Sequence, residues 1–216
     1  MKDMKTALSL SSPDRWDDAL LYGADFREIR LDLVSDSAAE KRILELCTDK
    51  KDEIPCIITI RSKKEGGNFS EDSKTWRRSI EPWVSCADYI DIERDFSEYA
   101  PEIKKSGVRI ISSVHLKYMP GPKELKEIET RLREYGDIPK IVVTPKNCDD
   151  VSSFIDFTIK SQKPLITSIM GKKYKAVRIP LIILGSMLIY CHSGSEASEG
   201  QYHIKDIKKL KEILLK

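Results

Sequence analysis

The chain has 216 residues, of which 40% are hydrophobic and 33% charged, and its 37 Lys and Arg residues nearly balance 35 Asp and Glu residues. This near-neutral mixture excludes a polybasic nucleic-acid-binding module, and apolar blocks that recur throughout exclude a disordered chain. The length is sufficient for a substantial hydrophobic core, and we predict a single domain over residues 1–216.

Neither the apolar segments nor the cysteines indicate a membrane or secreted protein. The longest apolar block, Leu181–Cys191, is interrupted by Gly185 and Ser186 and is too short to span a bilayer. The first residues lack the apolar stretch of a signal peptide. The 5 cysteines are odd in number and include no Cys-x-x-Cys pair. We therefore predict reduced thiols, a cytoplasmic location, and no membrane or nucleic-acid partner.

Short β-branched runs alternate with amphipathic, charged stretches along the chain. The runs predict eight strands: Thr6–Ser11, Phe26–Val34, Ile54–Arg61, Tyr89–Arg94, Val108–His115, Pro139–Thr144, Leu165–Met170 and Ser186–Cys191. The helical patterns between and after them include Ala38–Thr48, Ser73–Cys86, Pro122–Tyr135, Asp149–Lys160, Val177–Leu184 and Ile204–Leu215. Eight such β-then-α units favour a compact α/β fold, a single closed (β/α)8 TIM barrel. An open doubly wound sheet usually has a glycine-rich turn after its first strand, and that motif is absent.

The second predicted strand carries charges on one face. Between Glu28 and Asp32 a period of two places Glu28, Arg30 and Asp32 opposite two apolar residues. Thr59 and Arg61 repeat this pattern in the third strand. The pattern fits either a solvated edge strand of an antiparallel sheet or a barrel with a polar interior. Within a β/α alternation we favour the polar barrel, and buried charges usually mark a site because they are costly unless paired.

Two strands carry candidate catalytic groups near their ends. His115 closes the fifth predicted strand, where barrel active sites are built, although a lone histidine is more often structural. Lys140 begins the sixth run and Lys146 follows it; either residue is a surface charge or a buried amine, and the pattern does not choose between them. His192 and His203 match no standard ligand spacing, so we predict no metal.

Taken in chain order, these residues resemble the type I 3-dehydroquinate dehydratase family over nearly the whole chain. The matching motifs are Glu28-Ile29-Arg30-Leu31-Asp32, Arg61-Ser62-Lys63-Lys64-Glu65-Gly66-Gly67, Ser113-Val114-His115, Pro139-Lys140-Ile141, Met170-Gly171, Arg178 and Gly200-Gln201. Each motif alone is weak, but the ordered series on predicted strand ends is specific. The resemblance implies a TIM-barrel lyase that dehydrates 3-dehydroquinate in the shikimate pathway. It also implies a homodimer and no cofactor.

The resemblance implies roles for individual residues. Lys140, rather than Lys146, would form a Schiff base with the substrate ketone, and His115 would transfer protons as general base and acid. Glu65 would orient and polarise His115. The substrate-binding residues that it implies are Ser9, Glu28, Arg30, Arg61, Met170, Arg178, Ala197 and Gln201.

The sequence departs from the family pattern in its last loop. Counting back from Gln201 places Ala197 where relatives have a substrate-binding serine, with Ser198 one position late. Arg178 and Gln201 keep the family spacing. We therefore expect the guanidinium and the amide of these two residues to hold the substrate carboxylate.

Two other functions stay open. An imine-forming aldolase with the same fold would share Lys140 but would need neither the segment 65–67 nor the pair of Arg178 and Gln201. A noncatalytic barrel that binds a small acid would keep the arginines and would tolerate loss of Lys140 or His115. A purely structural protein would have no use for a charged barrel interior.

Overall fold

A computed structural model describes residues 4–49 and 54–214, in which strands and helices alternate. The strands are β1 (Thr6–Leu10), β2 (Phe26–Arg30), β3 (Cys56–Thr59), β4 (Tyr89–Glu93), β5 (Arg109–His115), β6 (Ile138–Val143), β7 (Ile166–Ile169), β8 (Ile189–His192) and the short β9 (Tyr202–His203). The α-helices are α1 (Asp18–Leu21), α2 (Ser37–Asp49), α3 (Ser73–Ile80), α4 (Ala100–Lys104), α5 (Pro122–Tyr135), α6 (Cys148–Lys160), α7 (Arg178–Ile183) and α8 (Ile204–Leu214).

The strands are all parallel and follow the order β7-β6-β5-β4-β3-β2-β1-β8-β9. Between β7 and β8 the barrel closes through single hydrogen bonds. The Met187 N–H donates to the Leu165 carbonyl at 2.8 Å, and the Thr167 N–H donates to Ser186 Oγ at 2.9 Å. The predicted TIM barrel is confirmed.

All eight predicted strands are present, and most are shorter than predicted. The predicted strand Phe26–Val34 ends at Arg30 because Leu31–Leu33 form a 3-10 helix. The Asp32 carboxylate fixes this turn. It accepts hydrogen bonds from the Arg30 guanidinium at 2.9 and 2.8 Å and from the Arg61 N–H at 3.1 Å.

The six named helical patterns all form helices and differ from prediction mainly at their ends, whereas the short helices α1 and α4 were not among them. Helix α5 has the predicted bounds, whereas the predicted helix Ser73–Cys86 ends as α3 at Ile80 and continues as the 3-10 helix Glu81–Trp83. Pro82 explains this end, because proline cannot donate the backbone hydrogen bond of a helix interior. Leu215, in the last predicted helix, lies outside the described residues. No helix in the described ranges combines the length and the apolar character needed to cross a membrane.

Apolar side chains close the barrel interior at the amino ends of the strands. One residue at the start of, or next to, each of the eight long strands joins this cluster: Ala7, Phe26, Ile57, Tyr89, Ile111, Ile138, Ile166 and Leu188. We call these eight residues the amino-end plug. Neighbouring strand residues such as Ile29, Ile58 and Ile90 belong to a separate core cluster that packs under the helices. Within residues 4–49 and 54–214, the plug fills the amino end of the barrel interior, and the carboxyl end is left open for a site.

Candidate active site

A cavity of about 250 Å³ opens at the carboxyl ends of the strands. It is lined by Glu28, Arg30, Thr59, Arg61, Glu65, Gly66, His115, Lys140, Val142, Ser168, Ile169, Met170, Gly171, Arg178, Tyr190, Ser198, Glu199 and Gln201. This set contains nine of the eleven predicted site residues; Ser9 and Ala197 are not among its lining residues. Lys146, the alternative lysine, is exposed and outside the cavity.

The alternation of strand residues places these side chains. Phe26 belongs to the amino-end plug, and Glu28 and Arg30 follow two and four residues later on the same face of β2. On β6, Ile138 and Lys140 have the same relation. Each of these strands therefore contributes an apolar residue to the plug and polar residues to the cavity above it.

Arg61, just beyond β3, is the centre of a buried network of ion pairs. Its Nη1 donates to Glu93 Oε1 at 2.8 Å, its Nη2 donates to Asp91 Oδ1 at 2.8 Å, and Glu65 Oε2 lies 3.4 Å from Nη1. Burial by itself lowers the pKa of Arg61, but the three carboxylates outweigh it and raise that pKa above its usual value. The guanidinium therefore stays charged and holds the carboxylates in place.

The Lys140 amine is buried at the wall of the cavity. Its Nζ lies 2.9 Å from Asp91 Oδ2 and 4.1 Å from the centroid of the Tyr190 ring. Asp91 also accepts a hydrogen bond from Ser113 Oγ at 2.5 Å. Burial by itself raises the pKa of Asp91, but Arg61 and Lys140 outweigh it and bring this pKa to about 2. Asp91 is therefore ionised and positions the lysine.

His115 and Glu65 form a hydrogen-bonded pair. Glu65 Oε2 accepts from the His115 N–H at 2.9 Å and lies 2.9 Å from Nδ1 of the ring. Burial, followed by the charges of Arg61 and Lys140, lowers the pKa of His115 well below its usual value. Burial and the Glu93 carboxylate raise the pKa of Glu65 to about 8. Both shifts favour the neutral forms of Glu65 and His115. Because Glu65 contacts Nδ1 of the ring, Nε2 is the nitrogen available to a ligand in the cavity.

Ser9 supports Glu28 from behind. Its Oγ donates to Glu28 Oε2 at 2.5 Å, while Thr59 Oγ1 donates to Glu28 Oε1 at 3.0 Å. Gln201 Nε2 in turn donates to Ser9 Oγ at 3.3 Å. Ser9 thus fixes two residues that line the cavity, Glu28 and Gln201, and is not itself among the lining residues. Its direct contact with the substrate stays a prediction.

Arg178 holds the loop that covers one side of the cavity. Nε and Nη2 donate to the Ile169 carbonyl at 3.0 and 2.7 Å, Nη2 also donates to the Glu199 carbonyl at 3.0 Å, and Nη1 donates to the Gly200 carbonyl. Burial lowers the pKa of Arg178. Gly200 has a φ of +78°, and a Cβ there would lie 2.8 Å from the Gly171 carbonyl oxygen. Glycine therefore allows this close approach.

Ala197 contributes its backbone to the site rather than its side chain. Its N–H donates to Gln201 Oε1 at 2.9 Å, and its carbonyl accepts from Arg30 Nη1 at 3.1 Å. These two bonds hold the Ala197 backbone, whereas the next residue, Ser198, lines the cavity. Ser198 is thus the serine of this loop that lines the cavity. The predicted correspondence of Ala197 with the family's serine position stays a prediction.

Asp91, Glu93 and Tyr190 are among the residues of the site that were not predicted. Asp91 and Glu93 alternate with Ile92 on β4, so the period-two test applied to β2 would have found both carboxylates. Tyr190 lies two residues beyond Leu188 of the plug, and an aromatic residue in an apolar run gives no signal that separates a cavity wall from a core.

The other two histidines lie outside the cavity lining. The rings of His192 and His203 pack edge to face with centroids 5.2 Å apart, and His203 Nε2 lies 3.1 Å from the Ser193 carbonyl oxygen. Across residues 4–49 and 54–214, no group of three or more His, Cys, Asp or Glu side chains is arranged to hold a metal ion.

A (β/α)8 barrel with a buried, charged cavity at the carboxyl ends of its strands has the architecture of a barrel enzyme. The family model described as Type I 3-dehydroquinase matches residues 11–215, and the chain belongs to that family. A 3-dehydroquinate dehydratase of Methanoregula boonei is 36% identical over 211 residues, covering 98% of this chain and 100% of the relative. One of Methanospirillum hungatei is 33% identical over 211 residues, covering 98% and 81%.

A solved structure has the same fold. The crystal structure of 3-dehydroquinate dehydratase from Geobacillus kaustophilus matches with a TM-score of 0.85, covering 100% of this chain and 91% of that chain. At 22% sequence identity this likeness concerns the fold alone.

Proposed function

We propose that the protein dehydrates 3-dehydroquinate to 3-dehydroshikimate, a step toward chorismate and the aromatic amino acids. One observation carries the proposal: in a chain of this family, buried Lys140 and the pair of His115 and Glu65 line one cavity. The reaction needs an electron sink next to the C2 proton and a group that moves protons, and these residues supply both.

Lys140 provides the electron sink. Its amine adds to the C3 ketone, and loss of water from the adduct gives an iminium that acidifies the C2 proton. Only the free amine is nucleophilic, so the proton shared with Asp91 leaves before attack. The contact of 2.9 Å with Asp91 supports a preset position for the nitrogen. Hydrolysis of the product imine regenerates Lys140, and no cofactor takes part in these steps.

His115 moves the protons. Its Nε2 removes the C2 proton to give an enamine and then returns a proton to the departing C1 hydroxyl, which leaves as water. One group that serves both steps suits a syn elimination. The lowered pKa of His115 supports this role, because it keeps the ring neutral, and therefore able to accept a proton, near neutral pH. Glu65 fixes the ring through Nδ1.

Binding of the substrate follows from the charges around the cavity. We propose that Arg178 and Gln201 hold the carboxylate, with Ser198 beside them. Glu28 and Arg30 would contact ring hydroxyls. Arg61 and Met170 also line the cavity. Because Arg61 forms ion pairs with the carboxylates of Asp91 and Glu93, we propose that it also organises the site.

Trapping of the imine tests this proposal. The protein is incubated with 3-dehydroquinate and borohydride, and intact-mass measurement and peptide mapping locate the reduced adduct. We expect the adduct on Lys140 in the wild type and in Lys146→Ala, but not in Lys140→Ala. No adduct with unconsumed substrate would overturn the assignment. An adduct with a different carbonyl compound alone would favour the aldolase.

We also propose that residues 1–216 form one catalytic domain and that two copies associate as a homodimer in the cytoplasm. The family resemblance supports the dimer, and two exposed apolar residues, Ile159 on α6 and Leu184 just after α7, offer candidate contacts. Light scattering on the purified protein measures the oligomeric state; a monomer at all concentrations would contradict the dimer.

A further inference from the structure

A layer of polar residues lies directly above the amino-end plug. On each of the eight long strands, the residue two positions beyond the plug residue is polar. Because side chains alternate along a strand, these residues share the inward face with the plug. We call these eight residues the polar layer. It includes Lys140 and the carboxylates of Glu28 and Asp91.

Most of the polar layer is joined by hydrogen bonds within the layer. Its two carboxylates are the acceptors, and each takes hydrogen bonds from two neighbours. The donors are Ser9 and Thr59 for Glu28, at 2.5 and 3.0 Å, and Ser113 and Lys140 for Asp91, at 2.5 and 2.9 Å. These bonds offset the cost of burying the groups, so six members of the layer have a structural explanation.

The other two members, Ser168 and Tyr190, make no side-chain hydrogen bond to any residue in the described ranges. An unpaired hydroxyl in a barrel interior does not stabilise the fold, so a ligand is the natural partner to look for. The two hydroxyls differ in access. The Tyr190 hydroxyl oxygen is enclosed, whereas Ser168 is half-buried and lines the cavity. Ser168 is therefore the unpaired hydroxyl that a bound molecule can reach.

Ser168 lies on the strand next to the one that carries Lys140. In the pairing of β6 with β7, Ser168 is opposite Val142, two residues beyond Lys140. The neighbouring Thr167 hydroxyl is hydrogen-bonded to helix α6, so the alternation directs Ser168 to the interior. His115 is on β5, the other neighbour of β6. The strand of the amine thus lies between the strand of the imidazole and the strand of the unpaired hydroxyl.

We propose that Ser168 is a further catalytic residue, whose hydroxyl donates a hydrogen bond to the C3 oxygen of the substrate while Lys140 forms the imine. This inference rests on the proposed dehydration of 3-dehydroquinate. There His115 serves the C2 proton and the C1 hydroxyl, so the oxygen that leaves C3 has no donor among the assigned residues. A donor aimed at an oxygen on which negative charge develops accelerates such a step. Ser168 supplies one on the side of Lys140 away from His115.

The step is balanced without a further reagent. After the Lys140 ammonium has lost one proton, its nitrogen attacks C3; the N–C bond forms, and the π electrons of the carbonyl move to oxygen. The Ser168 hydroxyl gives its proton to that oxygen and takes one from the nitrogen, which leaves a neutral carbinolamine. The C–O bond then breaks, and the nitrogen lone pair completes the iminium. The oxygen leaves as water with the proton that the ammonium lost first.

The rate of imine formation in the first turnover tests the proposal. The full-length protein is mixed with saturating 3-dehydroquinate and quenched with borohydride at short intervals, and intact mass gives the fraction of chains that carry the reduced adduct. Ser168→Ala should slow the appearance of the adduct by about 10²-fold, the lower end of the loss for one such donor. Ser168→Thr, which keeps a hydroxyl, should restore most of the rate. Ser112→Ala is the matched control, because Ser112 Oγ is also buried without a partner in the described structure but lies outside the cavity lining.

The outcomes separate this inference from the proposed function. No adduct in the wild type would overturn both, whereas an adduct that forms equally fast in the wild type and Ser168→Ala would overturn the role of Ser168 alone. A raised KM with an unchanged saturated rate would also overturn it, because the hydroxyl would then only bind substrate. Slowing in Tyr190→Phe but not in Ser168→Ala would assign the donor to Tyr190 instead. If Ser168→Ala does not fold, Ser168→Cys decides: a thiol is a weak donor, so slow imine formation supports the proposal and the wild-type rate overturns it.

Discussion

The two ends of the barrel are built from the same strands in opposite ways. At the amino end the inward side chains are apolar and form the amino-end plug, whereas two residues further along they include Glu28, Asp91 and Lys140. The plug excludes water by packing, and the carboxyl end keeps buried charges by pairing them. The comparison teaches that residues that stabilise the fold and residues suited to chemistry lie in adjacent layers of the same strands.

The charged end is nearly balanced. In the network around Arg61, two buried cations, Arg61 and Lys140, face the carboxyl groups of Asp91, Glu93 and Glu65. One carboxyl group is in excess, and the raised pKa of Glu65 identifies it as the one that holds a proton most readily. Substitutions at the two ends should therefore have separable effects: those at the carboxyl end should change catalysis, and those at the amino end should change the free energy of unfolding.

The largest effect is expected from Lys140→Ala, which removes the only amine that contacts Asp91 in the described structure. Turnover should be abolished, because no other residue supplies the imine. The rate of formation of the conjugated product measures this effect. The control is Lys146→Ala, which removes an exposed lysine between β6 and α6 and should retain the wild-type rate. Wild-type turnover in Lys140→Ala would contradict the proposal that the reaction takes place at the carboxyl end of the barrel through Lys140.

His115→Ala should lower kcat by about 10²–10⁴-fold, the usual contribution of a positioned acid–base group. The borohydride adduct on Lys140 should still form, because imine formation uses the lysine. Steady-state kinetics and intact-mass measurement together test both statements. His192→Ala, outside the cavity, serves as the control; an equal loss in both variants would show a general effect of removing an imidazole.

Ile57→Ala in the amino-end plug should lower the free energy of unfolding by about 2–5 kcal/mol while leaving kcat close to wild type. The reason is the cavity left by a fully buried side chain. Urea unfolding measures the effect. Ile213→Ala, at a site 74% exposed, should change stability by less than about 0.5 kcal/mol. Loss of kcat without loss of stability in Ile57→Ala would contradict the separation of the two layers.

Glu65→Gln should change how stability depends on pH. The pKa of Glu65 is about 8 in the folded protein against an ordinary value of 4.5, so between these values the folded state binds a proton that the unfolded state has lost. This stabilisation is complete below pH 4.5 and is lost as pH rises through 8. Removing it should flatten the slope by at most about 1.4 kcal/mol per pH unit.

Urea unfolding at a series of pH values, compared between the wild type and Glu65→Gln, measures that slope. Glu127→Gln, an exposed position on α5, is the matched control and should leave the slope unchanged. Equal slopes in all three proteins would mean that Glu65 is ionised throughout and that the charged end carries an uncompensated negative charge.

Local periodicity made most of the barrel predictable. Strand alternation depends on nearest neighbours, so the eight strands and the inward direction of Glu28, Arg30 and Arg61 could be read from the residues. The family motifs then connected these positions with Lys140 and His115. Asp91 and Glu93 carried the same local signal, so the sequence contained enough information to include them.

The features that were not predicted depend on contacts between distant segments. Strand β2 ends at Arg30 because Asp32 is bound by the Arg61 backbone, 29 residues further along the chain. Ala197 is held by Arg30 from 167 residues away, so counting positions in the loop could not tell it from Ser198 as the residue that lines the cavity. No local pattern encodes either contact.

The hydrogen bonds of Arg178 have a consequence for affinity. Among the described residues, four of its N–H bonds already go to carbonyls of Ile169, Glu199 and Gly200. A bidentate carboxylate can reach the guanidinium only by displacing part of this set, so the protein's own backbone acts as an internal competitor for the anion. The binding free energy of an acidic ligand is then the free energy of the new ion pair less that of the hydrogen bonds from Arg178 to the loop carbonyls. Mutations that weaken these hydrogen bonds without changing Arg178 should therefore increase the affinity.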